Sequence, residues 1–398
     1  MHAIRFLRTH LRHTCPTIHA KRLAVLLTAV ATVTRHHRLT LTSIGRALRS
    51  ATLVKHQSKR IDRLLGNRQL ERERTRLYAA LTQWMLTGVR QPILGIDWSD
   101  LTPNRHWQLL RASVPVGGRA LTVYEEGHPL RLLTNRRVHR AFLAQVAWLL
   151  PEGLRPLVVT DAGFRGTWFR LVEAQGWEWG GRIRNRTLVQ QAQGAPWLPC
   201  KRLYAAATLR PTTLGEVLFI RSHPLRCTLH LGRQPAQGRH QKSVFGHPVR
   251  SSHSRKQTAR AREPWRLASS LGLQKFPAKR IMQIYRHRMQ SEEAFRDLKS
   301  ERYGLGLAAS QTRTPQRLAI LLLIGAIALF VLWLVGQAAV QPKLHHSYQA
   351  NTMKRRLVLS VVSLGRHLLS RAPDVITIGE LVQVLTRLQR QLAHGNGV

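Results

Sequence analysis

Carboxylates are scarce in this sequence. Its 398 residues hold 19 Asp and Glu against 63 Lys and Arg, for a formal charge of +44 and a pI near 11.9. A surface this basic repels itself unless a polyanion neutralises it. An acidic small-molecule enzyme is therefore disfavoured, and nucleic acid is the leading partner. Cysteine is nearly absent. Cys15, Cys200 and Cys227 cannot build a disulfide framework, which fits a reducing cytoplasm. Cys200, His223, Cys227 and His230 include no CxxC pair and are irregularly spaced, which argues against zinc. No internal repeat is visible. Two apolar runs could be mistaken for targeting signals. Leu23 to Val33 follows too long a basic lead for a signal peptide and reads as a buried N-terminal helix. Leu318 to Val340 has the length of a bilayer span, about 20 residues. A helix buried on all sides has the same composition, and that is the preferred reading here.

Apolar residues make up 43% of the chain, enough for a sizeable core and two or three domains. Residues 1–88 read as a helical, basic, DNA-binding domain. Within Thr40 to Asn67 two short helices are expected. The first is capped near Thr42 or Ser43. The second carries Lys55, Lys59, Arg60 and Arg63 opposite Ile61, Leu64 and Leu65, and ends at Gly66-Asn67. From Pro92 the pattern turns to strands. Ile93 to Trp98 is apolar around Asp97. Trp107 to Val116 and Arg119 to Glu126 flank Gly117-Gly118, a hairpin signal. Helical spacing at Val138 to Leu150 precedes a buried-strand pattern, Leu157 to Asp161. A helix over Phe164 to Gly176 and a strand over Trp177 to Arg184 complete a β-β-β-α-β-α-β order, a mixed sheet with flanking helices. Segment 89–185 thus reads as the first part of an α/β core, 186–262 as a β-rich insertion, and 263–310 as the second part of the core. Segment 311–398 reads as a helical C-terminal region and candidate dimerisation segment.

Asp97 and Asp161 each close an apolar strand, where sites on α/β sheets sit, although a turn-capping Asp is common there too. Tyr285 to Lys299 is a strong helix former. At about 100° per residue, Tyr285, Arg288, Glu292, Arg296 and Lys299 fall within a sector of roughly 80°, with Glu293 and Asp297 turned away. One face would then present a carboxylate among a phenol and three cations.

These residues match the signature Y-x2-R-x3-E-x6-K with no spacing error. With LGIDWSD at 94–100, VVTDAGF at 158–164, KRIDRLLGN at 59–67 and FRDLKSERYGLGL at 295–307, the chain resembles the insertion-sequence-four family of bacterial cut-and-paste DDE transposases. It looks nearest the Tn-ten branch, and least matched over 186–262. The resemblance implies an RNase H-like core with a five-stranded mixed sheet and a catalytic, metal-binding triad of Asp97, Asp161 and Glu292. Two Mg²⁺ ions, replaceable by Mn²⁺, would activate the nucleophile and stabilise the leaving oxygen. Tyr285, Arg288, Lys299, Arg296 and Arg184 would hold phosphates. Trp265 would stack on a flipped base, although a core Trp at a strand start is equally ordinary. Lys55, Lys59, Arg60 and Arg63 would contact DNA from the N-terminal region. The implied partners are transposon-end and target duplexes, a second protomer in the synaptic complex, and host DNA-bending proteins. The expected setting is the cytoplasm, on the nucleoid, with no membrane. A catalytically silent repressor derived from a transposase is the rival reading.

Overall fold

The computed structural model describes residues 1–102, 104–184, 187–234, 247, 251–252, 255, 259, 263–312, 314–353 and 356–394. Most of the tip of the expected insertion, 235–262, lies outside these residues. The chain forms two compact units, Met1–Pro156 with Met289–Gly397, and Leu157–Arg288.

The first unit opens with five helices, α1 (His2–Thr14), α2 (Ala20–His36), α3 (Leu41–Ala47), α4 (Val54–Leu65) and α5 (Arg68–Leu86). Thr40, not Thr42 or Ser43, caps α3, its hydroxyl accepting from the Ser43 amide. Gly66 ends α4 at φ −87°, without the left-handed turn expected of a C-terminal glycine. Asn67 starts the next helix instead, its side chain accepting from Leu70 N–H. Three antiparallel strands follow, β1 (Ile93–Asp100), β2 (Trp107–Val116) and β3 (Arg119–Pro129). Gly117 and Gly118 take φ of +54° and +84°, the turn that a two-residue hairpin needs. Helix α6 (Arg136–Leu149) packs on α5 and β3, its N-terminus capped by Asn135.

The second unit holds β4 (Leu157–Thr160), α7 (Gly166–Glu173), β5 (Glu178–Arg182), β6 (Leu188–Gln190), β7 (Leu198–Pro199), β8 (Thr212–Phe219), β9 (Leu225–Gly232), β10 (Trp265–Ser269) and α8 (Ala278–His287). Strands β4 and β5 are parallel. Antiparallel pairings then run β5-β10-β9-β8-β6-β7. The element order through β5 follows the expected pattern, but the strands exceed five. Those of the insertion extend the sheet through β10 rather than standing apart from it, because β10 offers β9 a free edge.

The chain returns to the first unit with α9 (Met289–Lys299), α10 (Pro315–Val340), α11 (Val361–Arg371) and α12 (Ile378–Ala393). Helix α10 contains the long uncharged run, and nearly all of it is buried inside the unit. It packs against α1, α2, α4, α5, β3, α11 and α12. It is apolar all round because protein covers it all round. Gly336 and Gly365 let α10 and α11 meet backbone to backbone. A Cβ on Gly336 would strike the Val361 carbonyl, and one on Gly365 the Leu332 carbonyl.

Two expectations about the site elements need correction. Asp97 does not end its strand, since the ladder with β2 continues to Asp100. The signature segment is not one helix either. It divides at Arg288 into α8 and α9, which belong to different units, although Arg288 itself keeps a helical backbone at φ −55° and ψ −33°. The residues at the division include no Pro or Gly to mark it.

Candidate active site

In the first unit, α9 lies along β1. Gly95, Asp97 and Ser99 share one face of the strand, two residues apart. Ser291, Phe295 and Lys299 share one face of α9, four apart. Gly95 is where Ser291 comes in, since a Cβ there would lie 2.9 Å from the Ser291 hydroxyl. Ser291 also meets Ser113 of β2, Oγ to Oγ at 3.2 Å. At the other end the Lys299 ammonium donates to Ser99 Oγ at 2.7 Å and to the Asp100 carbonyl at 2.9 Å. Eight helical residues rise about 12 Å and four strand residues about 13 Å, so the stripes keep step. Asp97, between these two contacts on β1, is buried, and Glu292 on α9 is exposed.

Arg111 and Glu125, which the sequence reading did not single out, form the base of this face. Arg111 is the register partner of Asp97 on β2, and Glu125 the partner of Arg111 on β3. Both side chains are 0% exposed. The Arg111 Nε and a terminal nitrogen both donate to one Glu125 oxygen, at 2.8 and 2.6 Å, and Tyr78 of α5 donates to the other at 3.2 Å. The guanidinium carbon sits 4.8 Å from the centre of the Phe295 ring. Burial lowers the Lys299 pKa and the Arg111 charge lowers it further, while Asp100 and Asp97 pull it back. The expected phosphate ligand Lys299 is thus tied to the strand that carries Asp97. Arg296 is exposed and pairs with Glu293 at 2.5 Å, and Glu293 also reaches Arg119 at 3.7 Å.

In the second unit Asp161 directly follows β4, and its carboxylate accepts from the Gly163 amide at 2.8 Å, a turn cap. Tyr285 is buried on α8. Burial raises its pKa, while the charges of Arg288 and Arg182 lower it and that of Asp161 adds to the rise. Tyr285, Arg288 and Asp161 thus share one electrostatic neighbourhood. Arg184 lies just past β5 and pairs with Glu263 at 3.0 Å, as Arg182 does at 3.3 Å. Trp265 opens β10, half-buried, edge-on to Tyr285 at 5.0 Å between ring centres. Among the described residues no three His, Cys, Asp or Glu side chains gather into a metal-binding cluster. The donor chemistry of Asp97, Asp161 and Glu292 suits a hard divalent cation, all oxygens with no thiolate or imidazole.

The candidate DNA helix α4 presents Lys55, Lys59, Arg60 and Arg63 to solvent and buries Ile61, Leu64 and Leu65. Gly45 of α3 allows the close crossing of α3 and α4, since a Cβ there would lie 2.7 Å from the Ser58 Cα.

No curated protein matches the chain. The family model for the transposase DDE domain matches residues 120–331. That span includes Asp161 and Glu292 and begins after Asp97. It covers more than half of the chain, which therefore belongs to the transposase DDE domain family.

Proposed function

We propose that this DDE transposase is the cut-and-paste enzyme of a bacterial insertion sequence, of the insertion-sequence-four branch nearest the Tn-ten enzymes. The observation that supports the reading is the seating of α9 on β1, Ser291 against Gly95 and Lys299 on Ser99 and Asp100, in the unit that holds both Asp97 and Glu292. Asp97, Asp161 and Glu292 serve as ligands for divalent metal, two Mg²⁺ ions or Mn²⁺ in their place, within an RNase H-like core. When bound, the metal activates the attacking oxygen and stabilises the leaving one.

The chain's own residues do the positioning. Arg288 and Tyr285 hold a phosphate of the scissile strand, and Arg184 a neighbouring one. Lys299 fixes α9 to β1, and its remaining N–H reaches DNA. Trp265 stacks on an extruded base during a hairpin step. The exposed cations of α4 engage the terminal inverted repeats, while two protomers pair the ends before the 3′-hydroxyl joins target DNA. Host DNA-bending proteins assist on the nucleoid, in the cytoplasm.

The test is Mg²⁺-dependent cleavage of a duplex bearing the element's end, with a gel shift on the same samples. Glu292→Gln is expected to cut nothing and to bind ends as the wild type does, because an amide is a poor ligand for Mg²⁺. Glu293→Gln is expected to keep most activity, since its partners are Arg119 and Arg296. Wild-type protein that binds ends without cutting them indicates a repressor. An active Glu292→Gln beside a dead Glu293→Gln refutes the triad.

A further inference from the structure

Helix α6 has an outer face that neither the catalytic reading nor the α4 reading uses. Arg137, Arg140, Ala141, Ala144 and Trp148 fall within a sector of about 100°, and all are exposed. The opposite face, with Phe142, Leu143, Val146 and Leu149, is buried against the unit. Arg136 flanks the exposed sector and is also exposed. The helix carries no acidic residue; exposed Glu152 lies beyond its end. Among the described residues Arg136, Arg137 and Arg140 have no ion-pair partner and Trp148 has no ring partner. Trp148 is 57% exposed, a large apolar surface to leave in water.

We infer that this face is a docking surface for a second DNA duplex, the target, separate from the end-binding helix α4. The inference rests on the transposase reading. Charge complementarity selects a polyanion, and the layout selects a duplex. Arg137 and Trp148 stand about 16 Å apart along the helix, close to five base-pair steps at 3.4 Å each. The arginines take backbone phosphates at one end. The two alanines between leave a low surface, and Trp148 meets the groove at the other end as an apolar wedge. With the arginines on backbone phosphates, the face has no Asn, Gln, Asp or Glu left to read base edges. Such a face suits a duplex accepted whatever its sequence, which is what a target is and an element end is not.

The experiment uses the full chain without metal, saturated with unlabelled end duplex. Fluorescence anisotropy follows a labelled random-sequence duplex between 50 and 200 mM salt, for wild type, Arg137→Ala/Arg140→Ala and Trp148→Ala. Losing two phosphate contacts lowers the slope of log K against log salt by about 1.8. Trp148→Ala weakens binding about tenfold with the slope unchanged. Both variants should melt at the wild-type temperature and bind end duplex within about twofold of it, since the changed side chains are exposed. The inference is overturned if the saturated wild type takes up no second duplex, or if slope and affinity survive both changes. It is also overturned if end binding falls in the same proportion. Cleavage plays no part in these readouts, so failure of the catalytic reading would show separately, as wild-type protein that does not cut.

Discussion

Removing Glu125 alone should be among the most damaging single changes in the first unit, and removing Arg111 as well should reverse most of the damage. Both groups are fully buried, and Glu125 takes two hydrogen bonds from Arg111 and one from Tyr78. Glu125→Leu strands a guanidinium with no counter-charge, which costs about 3–5 kcal/mol. The Tyr78 hydroxyl also loses its acceptor, adding about 1 kcal/mol. Arg111→Met keeps the stem that lies against Phe295 and removes the charge. The pair Arg111→Met/Glu125→Leu then exchanges two desolvated ions for apolar contact, and such exchanges are neutral or stabilising by about 1–4 kcal/mol. A double-mutant cycle should therefore give a coupling energy of at least about 3 kcal/mol. The assay is guanidinium unfolding followed by tryptophan fluorescence, with the effect confined to the transition of the unit that contains β1–β3. A Glu125→Leu cost below about 1 kcal/mol, or a double variant as unstable as the single one, would refute the argument that this pair is desolvated and mutually dependent.

Acid should weaken both units before the carboxylates titrate. Burial holds His139 and His230 at about 4, against an ordinary 6.5. Both rings also serve as hydrogen-bond partners, His139 to the Trp98 indole and His230 to Thr213 and Ser269. Between pH 6.5 and 4 the unfolded chain takes up protons that the folded chain refuses. Stability therefore falls as pH drops through that window and levels off below it, by up to roughly 3 kcal/mol per histidine. His230→Asn should flatten the profile of the second unit, and a stability that stays level from pH 7 to 4.5 would contradict the reasoning. Gly336→Ala should cost several kcal/mol or abolish soluble expression, because its methyl meets the Val361 carbonyl rather than a side chain that can turn away. Thermal melting of purified protein decides, and a variant within about 0.5 kcal/mol of wild type would mean that α10 and α11 can separate.

The sequence named candidate catalytic residues because a motif consists of residue types at fixed short spacings. The Gly117-Gly118 turn, the buried run of α10, the amphipathic α4 and the strand before Asp161 were all legible from local pattern, since backbone preference and burial period act over a few residues. Local pattern did not show that the signature segment divides at Arg288, nor that Lys299 turns to Ser99 and Asp100. The Arg111–Glu125 pair is the clearest case. An uninterrupted hairpin around Gly117-Gly118 would set Arg111 opposite Tyr124. A bulge between Ala112 and Ser113 shifts the register by one, and Glu125 takes that place. One residue of slip exchanges the two faces of a strand, so the bulge decides whether a carboxylate or a phenol meets the buried guanidinium. Composition set the partner and spacing named the candidate catalytic residues. Which charges meet was decided only by packing, because contacts between residues distant in the chain depend on register and burial that no short window contains.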